Sequence, residues 1–426
     1  MDSQNLPLVD VDRLQVGVFV VLDLGWRNHP FAFNSFTIRN DEQLRQLRSL
    51  GVAQVRYCPQ RSAVQPLSAV GLPQAAASAP APPAAQSPIH GVMAEPVTPL
   101  QRQRASLARV EAAFEQVTHS HQRLLRLVKE SPLQACQLAE QIGTALHQQL
   151  AEQGEIAIRL LSSKVGDSPS AHEISVAALS MLLARDCGFS DDDGRELALA
   201  ALLHDVGKQN LAPFLRWDEG RLSDAERRTY RTHVRIGVDF ARAMGLSANV
   251  VRAIAEHHEH CDGSGFPAAL RGEQLSPAGR VLAIVNRYQD LICPQHFAAG
   301  MTPHAALRQM YGVERAHYDP VYLPRFVRIM GIYPPGTMVE LNDQRMAVVV
   351  ASRPGMSLAP RVQILSSPDR EEQGLAFDLD MQSGPRIQHS VRPELLPARW
   401  AQRARQLART PVFFEPQSEQ VASVAA

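Results

Sequence analysis

The spacing of apolar residues changes along the chain, and the first stretch has the pattern of a small mixed domain. Val16 to Leu22 is a short apolar run typical of a strand, and Val52 to Tyr57 is another. Between them, Asp41 to Leu50 predicts a helix that ends at Gly51. The pattern predicts a small N-terminal α+β module over residues 1–58.

From residue 101 to residue 335, apolar positions recur at helical spacing. Five of the predicted helices follow a serine that can cap the first turn, at Ser170, Ser190, Ser223, Ser247 and Ser276. Glycines are placed to end the first three of these helices, at Gly188, Gly207 and Gly245. The fold class is therefore mainly α, with an all-α helical bundle as its largest part.

Two further segments differ from the bundle. Residues 59–100 are rich in Pro and Ala, a composition that extends as a semi-rigid linker and cannot form a core. Residues 336–400 contain short Val-rich runs that predict a small C-terminal β appendage: Met338 to Leu341, Arg345 to Ala351 and Arg361 to Leu365. The remaining residues, 401–426, are predicted to form a poorly ordered tail.

Charge and cysteine content narrow the possible functions. The 43 Lys and Arg balance 43 Asp and Glu, which argues against binding DNA or an anionic membrane through bulk charge. The five cysteines are far apart and form no Cys-x-x-Cys pair, so a disulfide framework is not indicated. No apolar run approaches the roughly 18 to 20 residues that span a bilayer. We expect a cytoplasmic protein.

Histidines fall on successive predicted helices and are the main candidates for chemistry. A single helix histidine is more often a core or surface residue than a ligand. Here, however, a bundle can aim several of them at one interior point, together with a carboxylate. The candidate metal ligands are His172, His204, Asp205, His233, His257 and His258. Five imidazoles and a carboxylate exceed the needs of one tetrahedral zinc, so the set fits two ions bridged by Asp205.

Two motifs resemble a known family. Leu203-His204-Asp205-Val206-Gly207-Lys208 resembles the HD motif of metal-dependent phosphohydrolases. His257-His258-Glu259, followed by the glycine-rich Asp262 to Pro267, resembles the HD-GYP subfamily, with Phe266 where Tyr is usual. The resemblance covers about residues 160–335. The stretches 16–20 and 26–31 resemble the domain of unknown function found ahead of some HD-GYP domains.

This resemblance implies a cyclic di-GMP phosphodiesterase that forms pGpG or GMP, with two divalent metal ions, Fe or Mn. The six residues above match the family's metal ligands, and Asp205 and Lys208 match catalytic positions, Lys208 near the scissile phosphate. The matching substrate-binding loop residues are Gly263, Gly265, Phe266 and Pro267. The implied partners are a cyclic dinucleotide substrate and, among proteins, diguanylate cyclases.

The sequence departs from the family in the fifth of these helices. Asn286 stands where the family has its last metal-ligating Asp, and a neutral amide binds a hard cation more weakly than a carboxylate does. Gln295 and Ala298 replace two basic residues that grip phosphate. Asp290, one position from the family's second Asp in this helix, is expected to face a different direction and not to substitute for it. Ser168 replaces a Glu found in some members, which disfavours a third ion in the centre.

Three functions stay open on these grounds. The first is a working cyclic di-GMP phosphodiesterase with possibly reduced activity. The second is a catalytically impaired HD-GYP module that binds nucleotide or partner proteins in signalling, which Asn286, Gln295 and Ala298 favour. The third is another HD phosphohydrolase acting on different nucleotides, for which the loop from Asp262 to Pro267 would be unnecessary.

Overall fold

The chain forms two compact units, residues 1–102 and 103–426, close to the predicted end of the linker. The computed structural model describes residues 7–22, 35–38, 41–49, 52, 54–62, 64–66, 98–151, 156–162, 170–216, 222–293, 300–353, 356, 358–365, 374–379 and 384–416. Several positions used in the sequence argument lie outside these ranges, namely Ser168, Gln295, Ala298 and the stretch 26–31.

The N-terminal unit is an α+β module, as predicted. Its elements are β1 (Leu8–Asp10), β2 (Phe19–Val21), β3 (Ser35–Thr37), α1 (Asp41–Ser49) and β4 (Gln54–Tyr57). The strands pair in the antiparallel order β1-β4-β2-β3. The ordered chain continues past the predicted boundary at residue 58, because the Ser62 hydroxyl accepts from the Phe19 amide at 2.8 Å and the Gln15 amide group donates to the Gln65 carbonyl.

The second unit is built on a helical bundle. Its helices are α2 (Pro99–Glu130), α3 (Pro132–Ala151), α4 (Ala171–Asp186), α5 (Asp191–Leu203), α6 (Asp224–Ala243), α7 (Ala248–Glu256), α8 (Pro277–Ile292), α9 (Pro303–Gly312) and α10 (Tyr322–Met330). Helix α4 packs on α5 and α8, and it is buried over most of its surface, so it is the central helix of the bundle. Helix α6 packs on α7 and on the 3₁₀ turn Val206–Asn210.

Local signals explain where these helices start and stop. The hydroxyls of Ser190, Ser223, Ser247 and Ser276 each accept from a backbone amide of the first turn, as predicted, whereas Ser170 does not cap α4 through its side chain. Helix α5 ends at Leu203, before the predicted stop at Gly207, and α7 ends at Glu256. These ends place His204 and Asp205, and likewise His257 and His258, in the turns that follow.

A sheet covers part of the bundle. Five strands come from the predicted β appendage: β6 (Met338–Leu341), β7 (Met346–Ser352), β8 (Arg361–Ile364), β9 (Phe377–Asp378) and β10 (Ile387–Ser390). The sheet also contains β5 (Ile156–Leu160), from within the predicted helical domain, and β11 (Val412–Pro416). The strand order is β10-β6-β7-β5-β11, and β8 pairs with β7 and β9. The appendage is therefore continuous with the bundle, and the predicted boundary at residue 335 is not a structural one.

The prediction of a poorly ordered tail is wrong for residues 401–416. Helix α11 (Ala398–Arg409) leads into β11, whose Phe413 and Phe414 are each only 1 % exposed. Phe413 packs edge-on against Phe114, with ring centroids 5.6 Å apart. The apolar stripe of α11 is mostly alanine among arginines, which made the segment look too polar to fold. No helix in the described ranges is long and apolar enough to cross a membrane.

Candidate metal centre

The Asp205 carboxylate lies between two groups of histidines. Its Oδ1 atom is 3.5 Å from the Nε2 atom of His233 and 3.7 Å from that of His257. Its Oδ2 atom is 3.4 Å from Nε2 of His204 and 3.9 Å from Nε2 of His172. These distances are longer than a typical hydrogen bond. They approach the roughly 3 to 3.5 Å that separates two ligand atoms when both bind one ion at about 2.1 Å.

The ligand-type atoms therefore form two groups that share Asp205. One group joins Asp205 to His233, His257 and His258, and the other joins it to His172 and His204. The fold thus brings together all six candidate ligands predicted from the histidine pattern.

Three of these histidines are oriented in the same way. The Nδ1–H groups of His204, His233 and His257 donate to the carbonyl oxygen three residues earlier, at 2.7, 2.7 and 2.6 Å respectively. A neutral imidazole with a proton on Nδ1 presents a lone pair on Nε2. Each Nε2 atom faces Asp205, so the backbone carbonyls preset the tautomer that binds a cation.

Burial keeps most of this centre neutral apart from its carboxylate. Burial lowers the pKa of His172 to about 4 and that of His233 to about 3. Burial would raise the pKa of Asp205, but Lys208 and His204 hold it well below its usual value. Burial opposes the charged form of His204 too, yet Asp205 leaves the pKa of His204 raised. Neutral imidazoles around an ionised carboxylate are the form in which such a set binds metal.

Unsatisfied polar atoms test whether the residues fit a cation. Nε2 of His204, Oδ1 of Asp205 and Nε2 of His258 are buried and have no hydrogen-bond partner among the described residues. An orphaned buried polar atom costs about 1 to 3 kcal/mol, and here several lie around one carboxylate. A divalent cation would satisfy them together, so the residues fit a metal.

Asn286 lies beside one of the candidate ligands of this centre. It is 2 % exposed on α8, and its Oδ1 atom lies 3.0 Å from Nε2 of His172. The two side chains form a hydrogen bond across the α4–α8 contact. The departure from the family pattern is therefore located beside a candidate ligand.

Two carboxylates near the centre are not among the predicted ligands. Asp290 lies one helical turn after Asn286, and its carboxyl, whose pKa is raised by burial, interacts electrostatically with Lys208 and Asp205. Among the described residues, Asp290 is not one of those whose ligand-type atoms group around Asp205, and its direction stays a prediction. Glu173 has a buried Oε2 without a hydrogen-bond partner, and burial raises its pKa. The i, i+4 spacing from Asn286 was the signal available for Asp290.

Lys208 is held at the centre by the 3₁₀ turn. Its Nζ atom is 2.6 Å from Oδ2 of Asp205, and although burial opposes the charge, Asp205 leaves the pKa of Lys208 raised. Gly207 allows the turn to approach α6, because a Cβ atom there would lie 2.0 Å from the carbonyl oxygen of His233. The lysine is therefore a fixed cation in contact with the central carboxylate.

The backbone conformation of the predicted substrate loop requires glycine at two positions. Gly263 has φ of +80°, and a Cβ atom on Gly265 would lie 2.4 Å from the backbone nitrogen of His260. Phe266 stacks on His258 with centroids 4.6 Å apart, and it precedes Pro267 through a cis peptide bond. The loop therefore places an aromatic ring directly on a candidate ligand.

Glu259 fixes this loop, a role that sequence reasoning missed. The side chain is 1 % exposed, and its two oxygens accept from the backbone amides of Ala268 and Leu270 at 2.6 and 2.9 Å. Glu256 acts in the same way one turn earlier, where it accepts from the amide and hydroxyl of Ser276 at the start of α8. A buried carboxylate among amides stabilises both turns.

A helical bundle around a His-Asp centre is the arrangement of HD-type metal-dependent hydrolases. A family model of the HD domain matches residues 123–321, and a model described as a domain of unknown function (DUF3391) matches residues 7–139. Residues 123–321 are therefore similar to the HD-domain family, and the resemblance to HD-GYP proteins is confirmed.

Several related proteins align with this chain over different lengths. A cyclic di-GMP phosphodiesterase of Pseudomonas aeruginosa is 29 % identical over 377 residues, which is 85 % of this chain and 86 % of that protein. The cyclic di-GMP phosphodiesterase response regulator RpfG of Xanthomonas campestris is 30 % identical, over 33 % of this chain and 37 % of that protein. A 3′3′-cGAMP-specific phosphodiesterase of Vibrio cholerae is 27 % identical, over 38 % and 35 % respectively.

Proposed function

We propose that the protein is a metal-dependent phosphodiesterase that hydrolyses cyclic di-GMP to pGpG or GMP. The observation that carries the proposal is the Asp205 carboxylate, whose two oxygens face two separate groups of histidines. The similarity to the P. aeruginosa cyclic di-GMP phosphodiesterase over most of both chains supports the choice of substrate.

The proposed centre holds two divalent ions, Fe or Mn. Asp205 would serve both ions, with His233, His257 and His258 on one side and His172 and His204 on the other; Asn286 would be a weak ligand beside His172. Bound ions would supply activation of the attacking water and neutralisation of phosphate charge.

The chain's own residues have separate proposed tasks. The reaction forms a bond from water oxygen to phosphorus, and the bond from phosphorus to the ribose oxygen breaks. Lys208 is the cation available to a phosphate oxygen, because its charge is already fixed at the centre by Asp205. Phe266 would stack on a guanine but offers no hydroxyl. The glycines Gly263 and Gly265, with Pro267, would set the path of the loop around the substrate.

We propose a reduced rate, because the neutral Asn286 supplies no charge at its position. The hydrogen bond between Asn286 and His172 also favours a second candidate function, a module that binds the nucleotide or a partner protein with little or no turnover. In either case diguanylate cyclases are proposed partners. The proposed location is the cytoplasm, in keeping with five free cysteines.

A turnover assay combined with metal analysis tests the proposal. Purified protein with Fe or Mn is incubated with cyclic di-GMP or 3′3′-cGAMP, and products are separated by chromatography. We expect pGpG from cyclic di-GMP, loss of activity in Asp205→Ala, and retained activity in the control His389→Ala, an exposed histidine on β10. If metal-loaded protein binds cyclic di-GMP but forms no product, even with enzyme in excess over substrate, the second candidate function, a module without turnover, is the one supported.

A further inference from the structure

A second histidine and carboxylate cluster lies apart from the group around Asp205. His260 and Asp262 come from the loop after α7, and His317 ends the 3₁₀ turn Arg315–His317. One ligand-type atom from each of the three residues lies within 4.8 Å of the others. None of the roles proposed above uses His260 or His317.

Ser264 fixes the tautomer of His260. The Ser264 hydroxyl donates its proton to Oδ1 of Asp262 at 2.7 Å, so it can only accept from Nδ1–H of His260, at 2.8 Å. A neutral His260 with its proton on Nδ1 therefore has a bare lone pair on Nε2. The same serine occupies Oδ1 of Asp262 and leaves Oδ2 for another partner.

One pair of the remaining donor atoms lies at a separation suited to one ion. Oδ2 of Asp262 is 3.7 Å from Nε2 of His317, close to the spacing between neighbouring ligands of a cation. The rings of His260 and His317 are stacked nearly parallel, with centroids 4.3 Å apart and 4° between their planes. Because the lone pair of an imidazole lies in the plane of its ring, one ring must rotate out of this stack for both histidines to bind the same ion. The side chains of His317 and Asp262 are 32 % and 34 % exposed, so an ion can reach them from solvent.

The backbone holds the two segments together independently of these side chains. The amide of Cys261 donates to the carbonyl of His317 at 2.7 Å, and the Cys261 carbonyl accepts from Gly272 at 3.0 Å. The backbone therefore brings the three candidate ligands together before any ion binds, and binding then requires only the rotation of a side chain.

We propose that His260, Asp262 and His317 form a further metal site that takes Zn²⁺, with water completing the coordination. Two imidazoles and one carboxylate are a donor set for a borderline cation, whereas Ca²⁺ and Mg²⁺ prefer oxygen ligands alone. The site is separate from the ions proposed at Asp205. Zinc there would join the loop that carries Phe266 to the turn before Tyr318, and it would fix the loop beside the centre.

Replacing one ring by another of similar shape separates metal binding from packing. His317→Phe keeps a ring to stack on His260 but removes Nε2, and His389→Phe is the matched control, since His389 lies 3.6 Å from the Glu340 carboxylate without a third ligand. Protein loaded with Fe or Mn is dialysed against Zn²⁺, and bound zinc is counted. We expect one further Zn²⁺ per chain in the wild type and in His389→Phe, and none in His317→Phe.

Thermal unfolding and a second variant complete the test. Zn²⁺ should raise the transition temperature of the wild type but not of His317→Phe. The Asp205→Ala variant should lose Fe or Mn but keep the zinc bound by the loop. The zinc measurement therefore stays valid even if the protein does not hydrolyse cyclic di-GMP. Equal zinc content and equal stabilisation in wild type and His317→Phe would overturn the proposal and leave a stacked pair of neutral rings.

Discussion

Replacing Asn286 with Asp should tighten metal binding and raise turnover. In the structure the oxygen of Asn286 is 3.0 Å from Nε2 of His172, so a cation bound to that nitrogen would lie within bonding reach of an oxygen at residue 286. The substitution keeps the shape of the side chain and adds a negative charge at this point. The restored carboxylate is therefore a direct test of whether the position belongs to the metal centre.

The size of the effect follows from the distance and the burial. Two unit charges about 4 Å apart interact by about 4 kcal/mol at an effective dielectric constant of about 20. Because residue 286 is 2 % exposed, desolvation of the new carboxylate cancels part of this gain. If half remains, the affinity improves by about 2 kcal/mol, or roughly thirtyfold.

Competition with a chelator at neutral pH measures this affinity for Mn²⁺, and the rate of pGpG formation measures the consequence. Asn286→Leu is the matched control, because it keeps a similar volume without an oxygen, and it should bind metal no better than the wild type. The reasoning is refuted if Asn286→Asp, Asn286→Leu and the wild type retain metal equally well, since residue 286 would then lie outside the metal centre.

Three other predictions concern the scaffold. Glu259→Gln should lower the turnover and the transition temperature without changing the metal content. The substitution removes one of the two hydrogen bonds that the carboxylate accepts from loop amides, at a cost in folding free energy of about 1.5 to 3 kcal/mol. Unchanged kinetics would contradict this role. Gly207→Ala should destabilise the protein in thermal unfolding by more than about 2 kcal/mol, whereas Gly143→Ala, whose Cβ would be 3.4 Å from its nearest neighbour, should change little. Metal-free protein should lose stability as pH falls from 6.5 towards 4. The reason is that His172 and His233, with pKa values of about 4 and 3 in the folded protein, bind protons less readily there than in the unfolded chain. A transition temperature that stays constant or rises when the protein is acidified in the presence of a chelator would count against buried neutral histidines.

Local chemistry explains which parts of the fold were predictable. The helix that begins after Ser223 was predictable because a capping box and an apolar period occupy neighbouring residues. The candidate ligands were predictable because His204 and Asp205, like His257 and His258, are adjacent in sequence and end apolar helices. The sequence does not show that imidazoles from different helices meet at Asp205, because that depends on how the helices pack.

Contacts between distant residues were not predictable in the same way. Strand β5 pairs with β11 across about 250 residues, and neither strand is long enough to stand out alone. The contacts of Glu259 depend on the path of the loop, which no local pattern specifies.

The pairing of β5 with β11 has a consequence for biosynthesis. A ribosome releases β5 before any of the candidate ligands and β11 after all of them, so this edge of the sheet cannot close until residue 416 has been made. The central helix α4 gains a contact at the same stage, since the Ser175 hydroxyl donates to the Val412 carbonyl. A prematurely terminated chain lacking β11 would carry every histidine of the centre and still leave Phe114 uncovered. Such a product would present an open sheet edge to proteases and chaperones, which links quality control of the polypeptide to the pairing of β11.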